Sequence, residues 1–107
     1  MITRFAMFEG TIKDGQTEAF RAAVLSDLLP KWQAIPQARA VRIAFTDEAE
    51  PGAPAYPMIL QIDYDDRASV EQGLASAERA VVKDATEALL PRFFEGRVHH
   101  HITVKAA

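Results

Sequence analysis

Four alternating or β-branched runs, two stretches of helical periodicity and one proline-rich gap predict an α+β fold in a single domain spanning residues 1–107. Their order is strand, helix, strand, strand, helix, strand. That is the order of two split βαβ units, the ferredoxin-like sandwich. Right-handed crossovers then place both helices on one face of a four-stranded antiparallel sheet ordered 4-1-3-2. A chain of 107 residues supports one hydrophobic core and not two.

The first strand is Ile2 to Glu9, bounded by Gly10 and Asp14-Gly15. Helix 1 opens at Thr17, a candidate N-cap followed by Glu18. Phe20, Val24, Leu28, Trp32 and Ile35 recur every three or four residues and form its buried stripe. Pro30 falls inside that stripe, where a missing N–H and a ring clash predict a kink or a break. Strand 2 covers Ala38 to Thr46, with Val41, Ile43 and Phe45 alternating against Arg42, Ala44 and Thr46. The loop from Asp47 to Pro57 holds three acids and four prolines or glycines, and reads as a solvated connector or as a flap over a pocket. Strand 3 runs from Tyr56 to Tyr64, with Met58, Leu60, Ile62 and Tyr64 on one side. Asp65 or Asp66 caps a short helix to about Leu74, and Ser76 opens a longer one to about Leu90. The apolar stripe of this pair is Val70, Leu74, Ala77, Val81, Ala85 and Leu89, with Pro91 as the stop. Strand 4 spans Gly96 to Lys105 and contains the triplet His99-His100-His101.

Composition narrows the function. Charged residues make up 25% and hydrophobic residues 49%, the balance of an ordinary globular protein. A net charge of −3 argues against nucleic acid, which needs a clustered basic surface. The absence of cysteine excludes disulfides, thiolate metal sites and a cysteine nucleophile. No apolar run approaches the roughly 20 residues of a membrane span, and the first ten residues alternate like a strand rather than an export signal. The expectation is a cytoplasmic protein with no membrane partner.

Strand periodicity divides the candidate residues between two faces. Val98, Ile102 and Val104 fall together, as do Met58, Leu60 and Ile62, and Val41, Ile43 and Phe45. These apolar sets should lie under the helices, with His100 among them. Strand 1 is apolar on both sides, and Phe5 with Met7 are assigned to the helix side. The opposite face then carries Ile2, Arg4, Ala6, Phe8, Arg42, Ala44, Ile59, Gln61, Asp63, His99 and His101. Its apolar members call for a cover that the chain itself lacks, and a second copy packed sheet to sheet supplies one.

The order of elements, the size and this half-polar sheet face resemble the dimeric α/β-barrel superfamily. Leu74-Ala75-Ser76-Ala77-Glu78-Arg79, Asp84, and Phe94-Glu95-Gly96-Arg97-Val98-His99 are similar to the family associated with ethyl tert-butyl ether degradation, the EthD-like family. The resemblance implies a homodimer with a cavity, and carries over no set of catalytic residues.

Three chemistries compete for the polar face. Metal binding is disfavoured, because His99 and His101 stand roughly 6.5–7 Å apart along the strand and strand 1 offers no third ligand. A haem-dependent or cofactor-free monooxygenase is implied by relatives in the superfamily. Several of those resemble one another in using an asparagine, and this chain has none. The third is a polar corner of a largely apolar pocket. There Arg4 lies near Asp63 and His101, with Arg42, Gln61, Phe8 and Ile59 completing the walls. His99 and His101 are then the candidate acid–base groups, since imidazole titrates near 6.5. The expected function is binding, and in an enzyme transformation by a small oxygenase or isomerase, of an aromatic or polyketide-like molecule, with no cofactor. A non-catalytic structural or ligand-binding dimer is the alternative.

Overall fold

The computed structural model describes residues 1–107. Its elements are β1 (Ile2–Ile12), α1 (Thr17–Ala23), a π-helical turn (Val24–Leu28), α2 (Leu29–Gln33), β2 (Ala40–Phe45), β3 (Met58–Tyr64), α3 (Arg67–Leu74), α4 (Ala77–Phe93) and β4 (Phe94–Val104). The four strands form one antiparallel sheet in the order β2-β3-β1-β4, with the helices on one face. This is the ferredoxin-like topology the element order predicts.

β1 is central and pairs along its whole length with β4, from Ile2 opposite Val104 to Ile12 opposite Phe94. Both strands run further than the sequence pattern suggests, because Gly10 and Gly96 lie inside the ladder rather than at its ends. The two glycines face each other, and a Cβ on either would strike the backbone of the opposing strand. They permit a close strand approach that any other residue would block.

The stripe Phe20, Val24, Leu28, Trp32 and Ile35 is buried throughout and packs on the sheet. Pro30 produces its break by local widening. The N–H of Leu29 bonds to the carbonyl of Val24, an i→i−5 closure that seats the proline without unwinding the segment. Thr17 is the first helical residue, with Gln16 at the N-cap and no side-chain cap bond. The second helical pair is capped as its sequence predicts. Asp66 Oδ1 accepts from Ser69 N at 2.8 Å, and Ser76 Oγ accepts from Arg79 N at 3.1 Å.

The stripe of the second pair differs from its sequence pattern. Val81 is 55% exposed, and Val82, Leu89 and Phe93 are the buried residues of α4. The break at Ala75-Ser76 resets the helical phase at the start of α4, so Val82 is buried in place of Val81, whereas Ala85 and Leu89 keep the core side their spacing predicts. α4 also continues through Pro91 to Phe93. A proline in the last turn forfeits one hydrogen bond, which the burial of Leu89 and Phe93 offsets.

The face of β1 is the main correction. Ala6 (3% exposed) and Phe8 (1%) lie under the helices, and Arg4 shares their side. Phe5 and Met7 face the open side. Each strand set is apolar, and Arg4 weighs against burying the even one. The even set is buried nonetheless, because a chamber beside Arg4 accommodates its guanidinium.

Candidate functional site

The chamber lies between the helix side of the sheet and α4, with a volume of about 260 Å³. Its floor is β1, β3 and β4. Ala6 sits at the centre, paired to Leu60 on one side and His100 on the other. The small Ala6 side chain leaves space that a larger residue would fill. Trp32, Ile35 and Leu74 close one end. α4 forms the roof with Arg79, Val82, Lys83, Thr86, Glu87 and Leu90. Four of those six are long or polar, so α4 does not close on the chamber as it closes on the first helical segment, where Phe93 packs against Phe20.

Polar groups converge at the end where β1 begins. Arg4 projects from β1, Tyr64 from the end of β3, His100 from β4 and Arg79 from the first turn of α4. Gly73 belongs to this corner too. A Cβ there would lie 2.9 Å from the Tyr64 ring and 3.1 Å from the Pro36 carbonyl, so glycine is what lets α3 settle against Tyr64. Thr86 spends its hydroxyl on its own helix, donating to the Val82 carbonyl at 2.7 Å.

Burial and like charge shape the electrostatics. Loss of water lowers the affinity of Arg4 for its proton, and Arg79 lowers it further while Tyr64 opposes this. Arg4 stays charged regardless, given the intrinsic basicity of guanidinium. Desolvation raises the Tyr64 phenol, against the pull of Arg4 and Arg79. His100 stands at the exposed rim. Its pKa is lowered to about 4, first by the apolar wall around it, then by Arg4, Arg79 and His99. At neutral pH it is an uncharged imidazole. It shares the helix side with Val98, as the alternation predicts, but Ile102 (37% exposed) and Val104 (74%) lie on the edge strand beyond the helices' cover.

The expected polar corner is divided between the two faces. His99, His101, Asp63, Gln61, Arg42 and Ile59 are on the open face, whereas Arg4 and Phe8 are on the helix side. Arg4 therefore does not meet Asp63. Asp63 takes both Nη1 and Nη2 of Arg42, at 2.7 and 2.8 Å, and the Thr3 hydroxyl at 2.7 Å. His99 Nε2 lies 3.2 Å from Glu9 Oε1, and its ring is 5.9 Å from that of His101 and 6.0 Å from that of Tyr56. No three histidine, aspartate or glutamate side chains gather as a metal site would require. Loop 47–57 contributes nothing to the chamber. Its end is tied by Gly10 N–H to the Ala55 carbonyl, and it sets Tyr56 against His99. Sequence periodicity missed Arg79 and Tyr64 as site residues. Arg79 is separated from Arg4 by 75 residues of chain, and Tyr64 closes an apolar strand set that reads as core.

No helix is long and apolar enough to cross a membrane. No protein-family model and no curated protein matches the sequence. Solved structures do match over nearly the whole chain. An ethyl tert-butyl ether (EthD) family protein from Bacillus halodurans superposes with a TM-score of 0.78 at 16% identity, covering 98% of both chains. The cofactor-independent oxygenase SnoaB from Streptomyces nogalater gives 0.66 at 12% identity, over 99% of this chain and 93% of that one. A dimeric protein of unknown function from Bacteroides fragilis, described as ferredoxin-like, gives 0.61 at 13% identity, over 95% and 93%. At such identities the shared property is the fold, and the fold of this chain is the ferredoxin-like one found in these proteins.

Proposed function

We propose that this protein binds a small, largely apolar organic molecule in the chamber between sheet and helices, and does so as a homodimer joined through its open sheet faces. The observation that carries the reading is the chamber itself: about 260 Å³ of mostly apolar space with a few polar groups converging at one end. That is the usual make-up of a small-molecule site, with a volume just below the usual range. One- or two-ring aromatic molecules suit it. The likeness to an EthD family protein and to a cofactor-independent oxygenase supports an organic ligand. His100 is the one histidine in the chamber, so acid–base chemistry in an enzyme of this architecture falls to it rather than to His99 or His101.

The open face supports the second half of the reading. Phe5, Met7 and Ile59 are each only partly covered there, and Arg42, Gln61, Asp63, His99 and His101 surround them. A second copy against this face would bury the apolar centre within a polar frame. The dimeric Bacteroides fragilis protein of the same fold supports a dimer.

A plug in the chamber tests the first half. Thr86→Phe projects a ring from the roof into the space and should abolish binding of small aromatic compounds, followed by equilibrium dialysis, without lowering the melting temperature. Binding as strong as that of the unaltered protein would place the ligand elsewhere.

A further inference from the structure

We propose, building on the chamber reading above, that Arg4 and Arg79 form an anion receptor, so that the ligand is an organic acid with its carboxylate at the Arg4 end and its apolar body against Ala6, Leu60 and Val98. The first support is the pattern of charge pairing in the chain. Ion pairs join Arg39 to Asp65, Arg42 to Asp63, Lys83 to Glu87 and Arg97 to Glu9, which His99 Nε2 also approaches. Neither Arg4 nor Arg79 is among them. The one carboxylate on the chamber wall, Glu87, already lies 3.4 Å from Lys83 at the solvent edge.

The second support is energetic. Arg4 is partly withdrawn from water and feels a second positive charge, and no chain carboxylate compensates it. Two guanidinium groups facing one apolar space repel each other, and a fold gains nothing from the arrangement by itself. A carboxylate between them removes both penalties, accepting paired N–H bonds from a planar fork. The remaining polar groups agree with this. Tyr64 offers an O–H donor at the same corner, and the uncharged imidazole of His100 carries a ring N–H that can donate to an anion. The apolar remainder of the wall excludes a bare inorganic anion as the best-fitting occupant, since it would leave most of the chamber without contact.

A matched pair of probes separates this inference from the reading it rests on. 1-Naphthoate and 1-naphthalenemethanol share a ring system and differ in charge. Calorimetric titration of the full chain should show naphthoate binding tighter by about 10- to 100-fold, the range of a charge-assisted hydrogen bond. Arg79→Gln should erase most of that preference, weakening naphthoate far more than the alcohol. Arg4→Gln should do the same, and if that variant fails to fold, Arg79→Gln decides alone because its backbone lies on a solvent-facing helix. Equal affinity for acid and alcohol would overturn the receptor and leave the apolar chamber standing. Failure of both probes to bind would overturn the two together. Competition by inorganic phosphate as strong as that by naphthoate would replace the organic-acid assignment with a small-anion site.

Discussion

On the open face of the sheet, Asp63 is gripped by both terminal nitrogens of Arg42 and by Thr3, and Glu9 is approached by Arg97 and His99. On the helix side, Arg4, one residue along β1 from Thr3, and Arg79 of α4 face a chamber with no acid assigned to them. The hydrogen bonds from Arg42, followed by that from Thr3, hold the Asp63 carboxyl below its usual range against the contrary pull of burial. The loss of water, reinforced by like charge, works against the charged form of Arg4. The open face thus satisfies its charges from within the chain, which suits an interface. The chamber leaves its charges to something that enters, which suits a binding site.

The largest expected effect tests which face is which. Phe8→Ala removes a side chain that is 1% exposed and packs edge-on against Phe94, and should cost about 3–5 kcal/mol. Phe5→Ala, on the opposite side of the same strand, should cost far less in dilute protein, with a loss that grows as concentration rises if sheet faces associate. Denaturant melts at two concentrations measure both. Comparable losses at every concentration would mean that the two faces of β1 are equally buried, and the division drawn here would fail.

A smaller pair of changes sharpens the contrast in charge. Asp63→Asn breaks a bidentate bond to a half-exposed arginine and should destabilise by about 1 kcal/mol. Arg79→Gln deletes a charge that opposes another and should change stability by less than about 0.5 kcal/mol, or raise it. The two should therefore differ in sign or nearly so. An Arg79→Gln variant that melts well below Asp63→Asn would reveal a structural partner for Arg79 and remove the case for a receptor.

The fold was legible because several devices agreed. The stripe from Phe20 to Ile35, the caps at Asp66 and Ser76 and the alternation of β3 each point to the same topology. The site was only half legible. Alternation placed His100 on one side of β4 and His99 with His101 on the other, because period two admits no ambiguity within a strand. It did not orient β1, where Ile2, Ala6 and Phe8 on one side balance Phe5 and Met7 on the other. A charge such as Arg4 on the even side weighs against burying that side, and that weight is lifted where a chamber stands in place of a core. Arg79 was invisible for a different reason. Its position depends on how α4 docks across the sheet, and docking geometry is a tertiary fact that helical period alone cannot supply.

The subtlest test concerns acid, and it reads the chamber from inside. His100 has a folded pKa of about 4, against 6.5 for an unperturbed imidazole. Between those values the unfolded chain binds a proton that the folded chain refuses, so stability falls as pH drops from about 6.5 toward 4. Its contribution is fully present above 6.5. Asp63, whose carboxyl is depressed, is lost only as pH falls through the carboxylate range and below. The two windows meet near pH 4, so the upper one isolates the histidine. Because His100 sits at an exposed rim, solvent screens much of the effect and the slope should be shallow. His100→Gln should flatten the stability profile between pH 6.5 and 4.5, while His101→Gln, on the open face, should leave that portion of the curve in place. Adding 1-naphthoate supplies a negative charge beside Arg4, Arg79 and Lys83, with Tyr64, Glu87 and His99 as the other titratable neighbours. An anion there offsets the positive field that helps hold His100 neutral. The ring resonances of His100, followed by NMR across the same range, should then titrate at a higher pH with the acid bound than without it. An unchanged midpoint with naphthoate bound would place the carboxylate away from the Arg4 corner.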